Sequence, residues 1–259
     1  MPEQIVRCLK ANPQARLRLY CFPYAGGGGW TFTSWTRDLP GDVRDQTELW
    51  AITVPGRERG ASERRFGSIG ELAKAVCAEI GPGPQWPCAF FGHSMGALLG
   101  FEVARRLEAS LAGGPVHLIV SGYPAPQLPD RIPAVHNKPD AAILRRLRQL
   151  GGTPDAVLDD PELRDLMLEM LRADLELCET YKYHDQEPLG CSMTAFGGND
   201  DPHVRADELS HWREQTSSAF TMRTFPGGHF YLETARLLFL RVLGRELAEV
   251  MLRTAAGKS

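Results

Sequence analysis

Short runs of apolar residues alternate along the chain with longer stretches in which apolar positions recur every three to four residues. The first pattern marks buried strands and the second amphipathic helices. Leu17-Arg18-Leu19-Tyr20-Cys21-Phe22 predicts a strand that stops at Pro23 and a glycine run, and Glu48–Val54 predicts a second, closed by Pro55-Gly56. Ser68-Ile69-Gly70-Glu71 has the form of a capping box and opens a helix through Ile80. Cys88-Ala89-Phe90-Phe91 is the next strand and Ala97–Ala104 the helix after it. Val116–Val120, Cys191–Phe196 and Phe220–Phe225 complete the strands, with a terminal helix from about Glu233. Strands alternating with helices in this order predict an α/β domain with a mostly parallel sheet and helices on both faces.

One segment breaks the alternation. Residues 123–188 contain no evident strand; they begin in a Pro-rich stretch (Pro124, Pro126, Pro129, Pro133) and continue as helix over Asp140–Leu150 and from Pro161 to about Tyr183, with Gly151-Gly152-Thr153-Pro154 between. The expected organisation is a core of residues 1–122 and 189–259 carrying a helical lid insertion, 123–188. Leu163, Leu166, Met167, Met170 and Leu171 form an apolar stripe at helical spacing. It either packs onto the sheet domain or lines an acyl channel, in which case Met167 and Met170 meet substrate.

Between the third predicted strand and its helix lies Gly92-His93-Ser94-Met95-Gly96, a G-x-S-x-G pattern in a strand-turn-helix setting. A serine on so tight a turn is pushed out above the sheet, over a helix N-terminus that favours negative charge. Gly92 and Gly96 leave room for strand and helix to close on the turn. Ser94 is thus the candidate nucleophile, and a serine hydroxyl needs a base and an orienting carboxylate. In the α/β-hydrolase fold the chain order is Ser, acid, His. Of seven histidines, His229 in Pro226-Gly227-Gly228-His229-Phe230 directly follows the last strand and is the candidate base. The acid lies in Gly197-Gly198-Asn199-Asp200-Asp201-Pro202; Pro202 restricts Asp201 to extended backbone, which favours Asp201 over Asp200. The oxyanion hole takes one amide from Met95 and a second from Pro23-Tyr24-Ala25-Gly26-Gly27, with Ala25 the choice and Tyr24 the alternative. That glycine run lacks the Lys-Ser/Thr of a phosphate-binding loop.

Composition narrows the setting. The chain has 259 residues, 43% hydrophobic, and a net charge of −3, so nothing points to nucleic acid. No run of 18 apolar residues is present, so no membrane span is expected. The first residues, Met1-Pro2-Glu3-Gln4-Ile5, carry no apolar signal core, and the six cysteines form no C-x-x-C pair. A soluble cytoplasmic monomer with reduced thiols is expected.

An ordered set of pieces resembles the type II thioesterases, stand-alone α/β hydrolases associated with fatty acid, polyketide and nonribosomal peptide synthases. The pieces are Phe22-Pro23-Tyr24-Ala25-Gly26-Gly27, Pro55-Gly56-Arg57-Glu58, Phe91-Gly92-His93-Ser94-Met95-Gly96-Ala97, Gly151-Gly152-Thr153, Arg172-Ala173-Asp174, Asp201-Pro202-His203-Val204 and Pro226-Gly227-Gly228-His229-Phe230. The resemblance implies a triad of Ser94, Asp201 and His229. It also implies a substrate held as an acyl thioester on the phosphopantetheine arm of an acyl or peptidyl carrier protein, and no cofactor or metal. The chain departs from the family at Tyr24, where the family often has His, and at Tyr123-Pro124, where basic residues are common. Arg145, Arg146 and Arg148 are read either as a docking face for an acidic carrier or as a solvated helix face. Two other functions share these residues: a carboxylester hydrolase, and a non-catalytic binding protein of a synthase.

Overall fold

The computed structural model describes residues 4–55, 66–81, 87–110, 113–153 and 155–256. Gly56-Arg57-Glu58 and Pro154, noted above, lie outside them. Seven strands form one sheet: β1 Val6–Lys10, β2 Leu17–Phe22, β3 Thr47–Ile52, β4 Cys88–His93, β5 His117–Ser121, β6 Ser192–Gly198 and β7 Phe220–Phe225. Their spatial order is β1-β3-β2-β4-β5-β6-β7, and every pairing is parallel except β1 with β3. The elbow strand β4 sits at the centre, with Phe22 of β2 opposite Gly92 and Ser121 of β5 opposite His93.

Alternate residues of the central strands enter opposite cores, as a sheet covered on both faces requires. Phe22 and Phe90 join Leu98, Phe101, Val120 and Trp212 on one face. Cys21 and Phe91 join Trp35, Ile119, Phe225 and Phe239 on the other. The helices divide accordingly. The short α1 (Trp35–Asp38) and α2 (Gly41–Arg44) sit with the second core, α3 (Ile69–Ile80) and α4 (Met95–Ala109) with the first. Ser68 caps α3 by accepting from the Glu71 amide at 3.2 Å, while Glu71 reaches back to the Gly67 amide at 2.9 Å.

Three helices, α5 (Asp140–Leu150), α6 (Asp155–Asp159) and α7 (Pro161–Glu179), occupy the segment between β5 and β6. Ile143, Leu147, Leu158, Leu168 and Leu171 pack together as a third, smaller core that also touches Ala25. The apolar stripe read from the sequence of α7 is displaced: Leu163 and Leu166 are 50% and 63% exposed, and the buried face runs through Leu168, Leu171, Asp174 and Leu177. Met167 packs partly against the small core, and Met170 is half-buried. An acid stands in the middle of the buried face, so apolar spacing alone favours the wrong stripe. Arg105, buried on α4, ties the end of this segment to the sheet by donating to the His184 carbonyl at 2.6 Å and to Gln186 at 3.0 Å.

After β6 come α8 (Ala206–Ser210), then α9 (Tyr231–Thr234) and α10 (Arg236–Ala256) following β7. Strand β1 escapes the sequence pattern because it is an antiparallel edge whose burial decays along its length. Its start is fixed by the Glu79 carboxylate of α3, which accepts from the Ile5 and Val6 amides at 2.9 Å.

Candidate active site

The turn after β4 is held by backbone contact. A Cβ on Gly96 would overlap the Phe22 carbonyl and one on Gly92 the Gly96 carbonyl, so only glycine lets α4 start this close to β2 and β4. Ser94 has φ +53°, the only positive value at a non-glycine among the described residues. It occupies the N-cap of α4, yet its hydroxyl makes no capping bond. Its amide donates to Ser121 O at 2.8 Å and its carbonyl accepts from Ala97 at 2.9 Å, which locks the strained backbone and leaves Oγ free above the helix. The Met95 amide is the first of the helix and has no intrahelical acceptor.

Two further loops converge here. A Cβ on Gly198 would overlap the Gly228 carbonyl, and the Asp200 amide donates to Gly227 O at 3.0 Å, so the loops after β6 and β7 lie backbone against backbone. That contact brings Asp201 Oδ2 to 2.7 Å from His229 Nδ1, both side chains being buried. Oδ1 accepts from the amides of His203 at 2.8 Å and Val204 at 3.3 Å. With Nδ1 held by a carboxylate, the imidazole is the tautomer whose Nε2 lone pair can accept a proton. Its ring centroid is 5.0 Å from that of His93, the neighbour of Ser94; no hydrogen bond joins Ser94 Oγ to His229 in this structure. Asp200 is exposed.

The loop after β2 turns at Tyr24–Gly27, where the Gly27 amide donates to Tyr24 O at 2.8 Å. Gly26 has φ +78°, and Ala25 is not among the positive-φ residues, which makes this a type II turn with glycine at its required place. The Gly26 amide donates to Asp174 Oδ2 at 2.7 Å. Of the turn amides at 25–27, two are therefore engaged, and that of Ala25 donates to no acceptor among the described residues. Tyr24 packs edge-on against Phe230 and His93, at 5.0 and 6.0 Å between centroids.

Behind the base lies a buried chain that the sequence reading did not detect. His93 Nδ1 is 2.8 Å from Ser121 Oγ, which bonds in turn to the Tyr231 hydroxyl. Burial and the neighbouring His229 push the His93 imidazole well below its ordinary range, so it stays neutral. Gly122 backs both rings: a Cβ there would come within 2.7 Å of His93 Cε1 and 3.4 Å of His229 Cε1. No sequence signal beyond the end of β5 marks these residues.

The other histidines lie in different settings. His117 bonds to Ser192 and Thr194, His136 to Glu179 and His211 to Glu214. Burial, with Arg146 and His229 nearby, pushes His203 down to about 4. The three arginines of α5 do not share a face. Arg146 donates to Pro133 O at 2.7 Å and Arg148 pairs with Asp159 at 3.5 Å, while Arg145 is exposed. Among the described residues no group of His, Cys, Asp and Glu is arranged to hold a metal ion. A cavity of about 400 Å³ against α7, lined by Phe66, Asp140, Leu168, Glu169 and Arg172 among others, includes none of Ser94, Asp201 and His229.

Comparison with known proteins adds to this geometry. A family model described as thioesterase domain matches residues 17–243. The gramicidin S biosynthesis protein GrsT of Aneurinibacillus migulanus is 40% identical over 240 residues, which span 93% of this chain and 92% of that protein. Among solved structures, the RedJ thioesterase from the prodiginine pathway of Streptomyces coelicolor aligns with a TM-score of 0.80 at 38% identity, covering 90% of this chain and 86% of its own. BorB, a type II thioesterase from the borrelidin biosynthetic cluster, aligns with a TM-score of 0.81 at 34% identity, covering 95% and 99%.

Proposed function

Because this chain belongs to the thioesterase family, we propose that it frees acyl groups from the phosphopantetheine arm of acyl or peptidyl carrier proteins, through an acyl-Ser94 intermediate. It is a thioester hydrolase of the α/β-hydrolase fold. The observation that carries the detailed reading is the buried 2.7 Å bond from His229 Nδ1 to Asp201, beside a serine held at φ +53° on the elbow. Likeness to a gramicidin S biosynthesis protein and to a type II thioesterase of a biosynthetic cluster supports a carrier-bound substrate.

His229 Nε2 takes the proton of Ser94 as Oγ attacks the thioester carbon. The amides of Met95 and Ala25 bind the tetrahedral oxyanion, and Asp201 stabilises the imidazolium. Collapse expels the pantetheine sulfur, which leaves with the proton of His229, and an acyl-Ser94 ester remains. Water then gives a proton to Nε2 and attacks the ester. A second oxyanion collapses, Oγ recovers the proton, and the free acid departs. Thiolate leaves readily, so the acylation half needs less acid assistance than ester or amide cleavage. Residues 123–188 act as the lid that gates the arm and sets acyl length, with Tyr24, Met167 and Met170 toward the acyl chain; the Tyr24 ring, edge-on to His93 beside Ser94, supports its own place in that set. Six unpaired cysteines fit a reducing compartment such as the cytoplasm.

A matched pair of substrates tests the reading. Acyl-pantetheine thioester is expected to turn over faster than the oxygen ester of the same acyl group; a preference for the oxygen ester would make the protein a carboxylester hydrolase.

A further inference from the structure

We propose that Asp174 is a positioning residue for the oxyanion hole, its carboxylate clamping the turn that presents the Ala25 amide. The inference rests on the reading of Ala25 as an oxyanion donor. Asp174 lies on α7, remote in sequence from the triad, and is fully buried. Its neighbours on the buried face of α7 are Leu168, Leu171 and Leu177. A carboxylate in such a stripe is costly, and an apolar residue would serve packing as well or better. One use of it is the short bond, 2.7 Å, from the Gly26 amide to Oδ2, the length of a charge-assisted hydrogen bond.

The bonded group matters because of where it sits in the turn. Gly26 N–H belongs to the central peptide of the Tyr24–Gly27 type II turn. Type I and type II turns differ by a flip of that one peptide, with nearly the same end points. Glycine at the third position makes both forms accessible, so the sequence of the turn does not choose between them. The carboxylate chooses: it accepts only from an N–H directed at α7, which is the type II orientation. Leu171 of the same helix lies close to the turn, 3.0 Å from where a Cβ on Gly26 would stand. Freed from Asp174, the central peptide samples both orientations, and the adjoining Ala25 amide loses its fixed aim. A misplacement of about 1 Å at a reacting centre is worth about a hundredfold in rate.

The test compares steady-state kinetics of wild type, Asp174→Ala, Asp174→Asn and Ser94→Ala on an acyl-pantetheine thioester. Asp174→Ala is expected to lose kcat by about 10- to 100-fold with KM within about threefold, because the turn acts on the transition state and not on ground-state binding. Asp174→Asn keeps an oxygen acceptor and is expected to recover kcat to within about fivefold of wild type. A merely structural role would lower stability in both variants without this split. If Asp174→Ala does not fold, replacing the Gly26 amide by an ester deletes the donor and leaves Asp174 intact; the same fall in kcat is expected. Unchanged kcat in Asp174→Ala or in the ester variant overturns the proposal alone. A wild type no faster than Ser94→Ala overturns the reading beneath it, and the proposal with it.

Discussion

Replacing Asp201 by Asn changes one atom and should disable the base through its tautomer. Asp201 accepts on both sides: Oδ1 from the amides of His203 and Val204, Oδ2 from His229 Nδ1. Asparagine has one acceptor oxygen and one NH2 group. The two backbone amides are donors that cannot reverse, so the side-chain oxygen goes to them and the NH2 faces Nδ1. Nδ1 must then accept, the ring proton moves to Nε2, and Nε2 can no longer take the serine proton. The same loss of tautomer in a Ser-His-Asp protease lowers kcat by about 10⁴, equivalent to about 5 kcal/mol in the barrier. The buried bonds are otherwise kept, so thermal stability should move little. Thiol release from acyl-pantetheine at pH 7.5 reads the effect. Asp200→Asn, at an exposed position, should stay within about twofold of wild type, as surface substitutions remote from a site usually do. An Asp201→Asn enzyme within tenfold of wild type, or a large loss in Asp200→Asn, would refute the reasoning.

Three further outcomes follow from the structure. Gly96→Ala drives a Cβ into the Phe22 carbonyl, which cannot yield as a side chain would; a loss of about 3 kcal/mol, or about 5–10 °C in a thermal melt, is expected, and an unchanged melt would count against the close approach. Burial, with Arg253 adding repulsion, pushes His117 down to about 4 from its ordinary 6.5. The unfolded chain therefore binds a proton that the fold refuses: stability is intact above about pH 6.5 and falls by about 3 kcal/mol as pH drops to about 4. Urea unfolding of wild type and His117→Gln at pH 7 and 4.5 checks this, and equal slopes would contradict it. Charge reversal at exposed Arg145 and Arg148 should leave acyl-pantetheine turnover intact and raise KM for an acyl-carrier substrate at low salt, an effect that fades at high salt. An unchanged KM for the carrier would dispose of docking there.

The central parallel strands were readable because both faces of each are buried, which turns β2, β4 and β5 into compact apolar runs bounded by Pro or Gly. The edge strand β1, half-exposed, offered no such run. The elbow, His229 and the Asp200-Asp201 pair were legible from their places at strand ends, since a parallel sheet delivers loops to one edge. What holds them was not. The chain His93–Ser121–Tyr231 joins residues as much as 110 apart by hydroxyl contacts that no local pattern encodes. The stripe on α7 was misplaced for a related reason: Asp174 faces the core to meet a loop amide 148 positions away, and a search for apolar spacing discards it. An acid at a core-facing helical position was the available signal.

Acid release from an acyl-phosphopantetheinyl carrier protein, wild type against Ser94→Ala, tests the central claim most directly. The account predicts rapid release by the wild type, a covalent acyl adduct detectable on Ser94 by mass spectrometry at short times, and neither in Ser94→Ala. Equal rates in the two proteins, or an adduct on another residue, would contradict it.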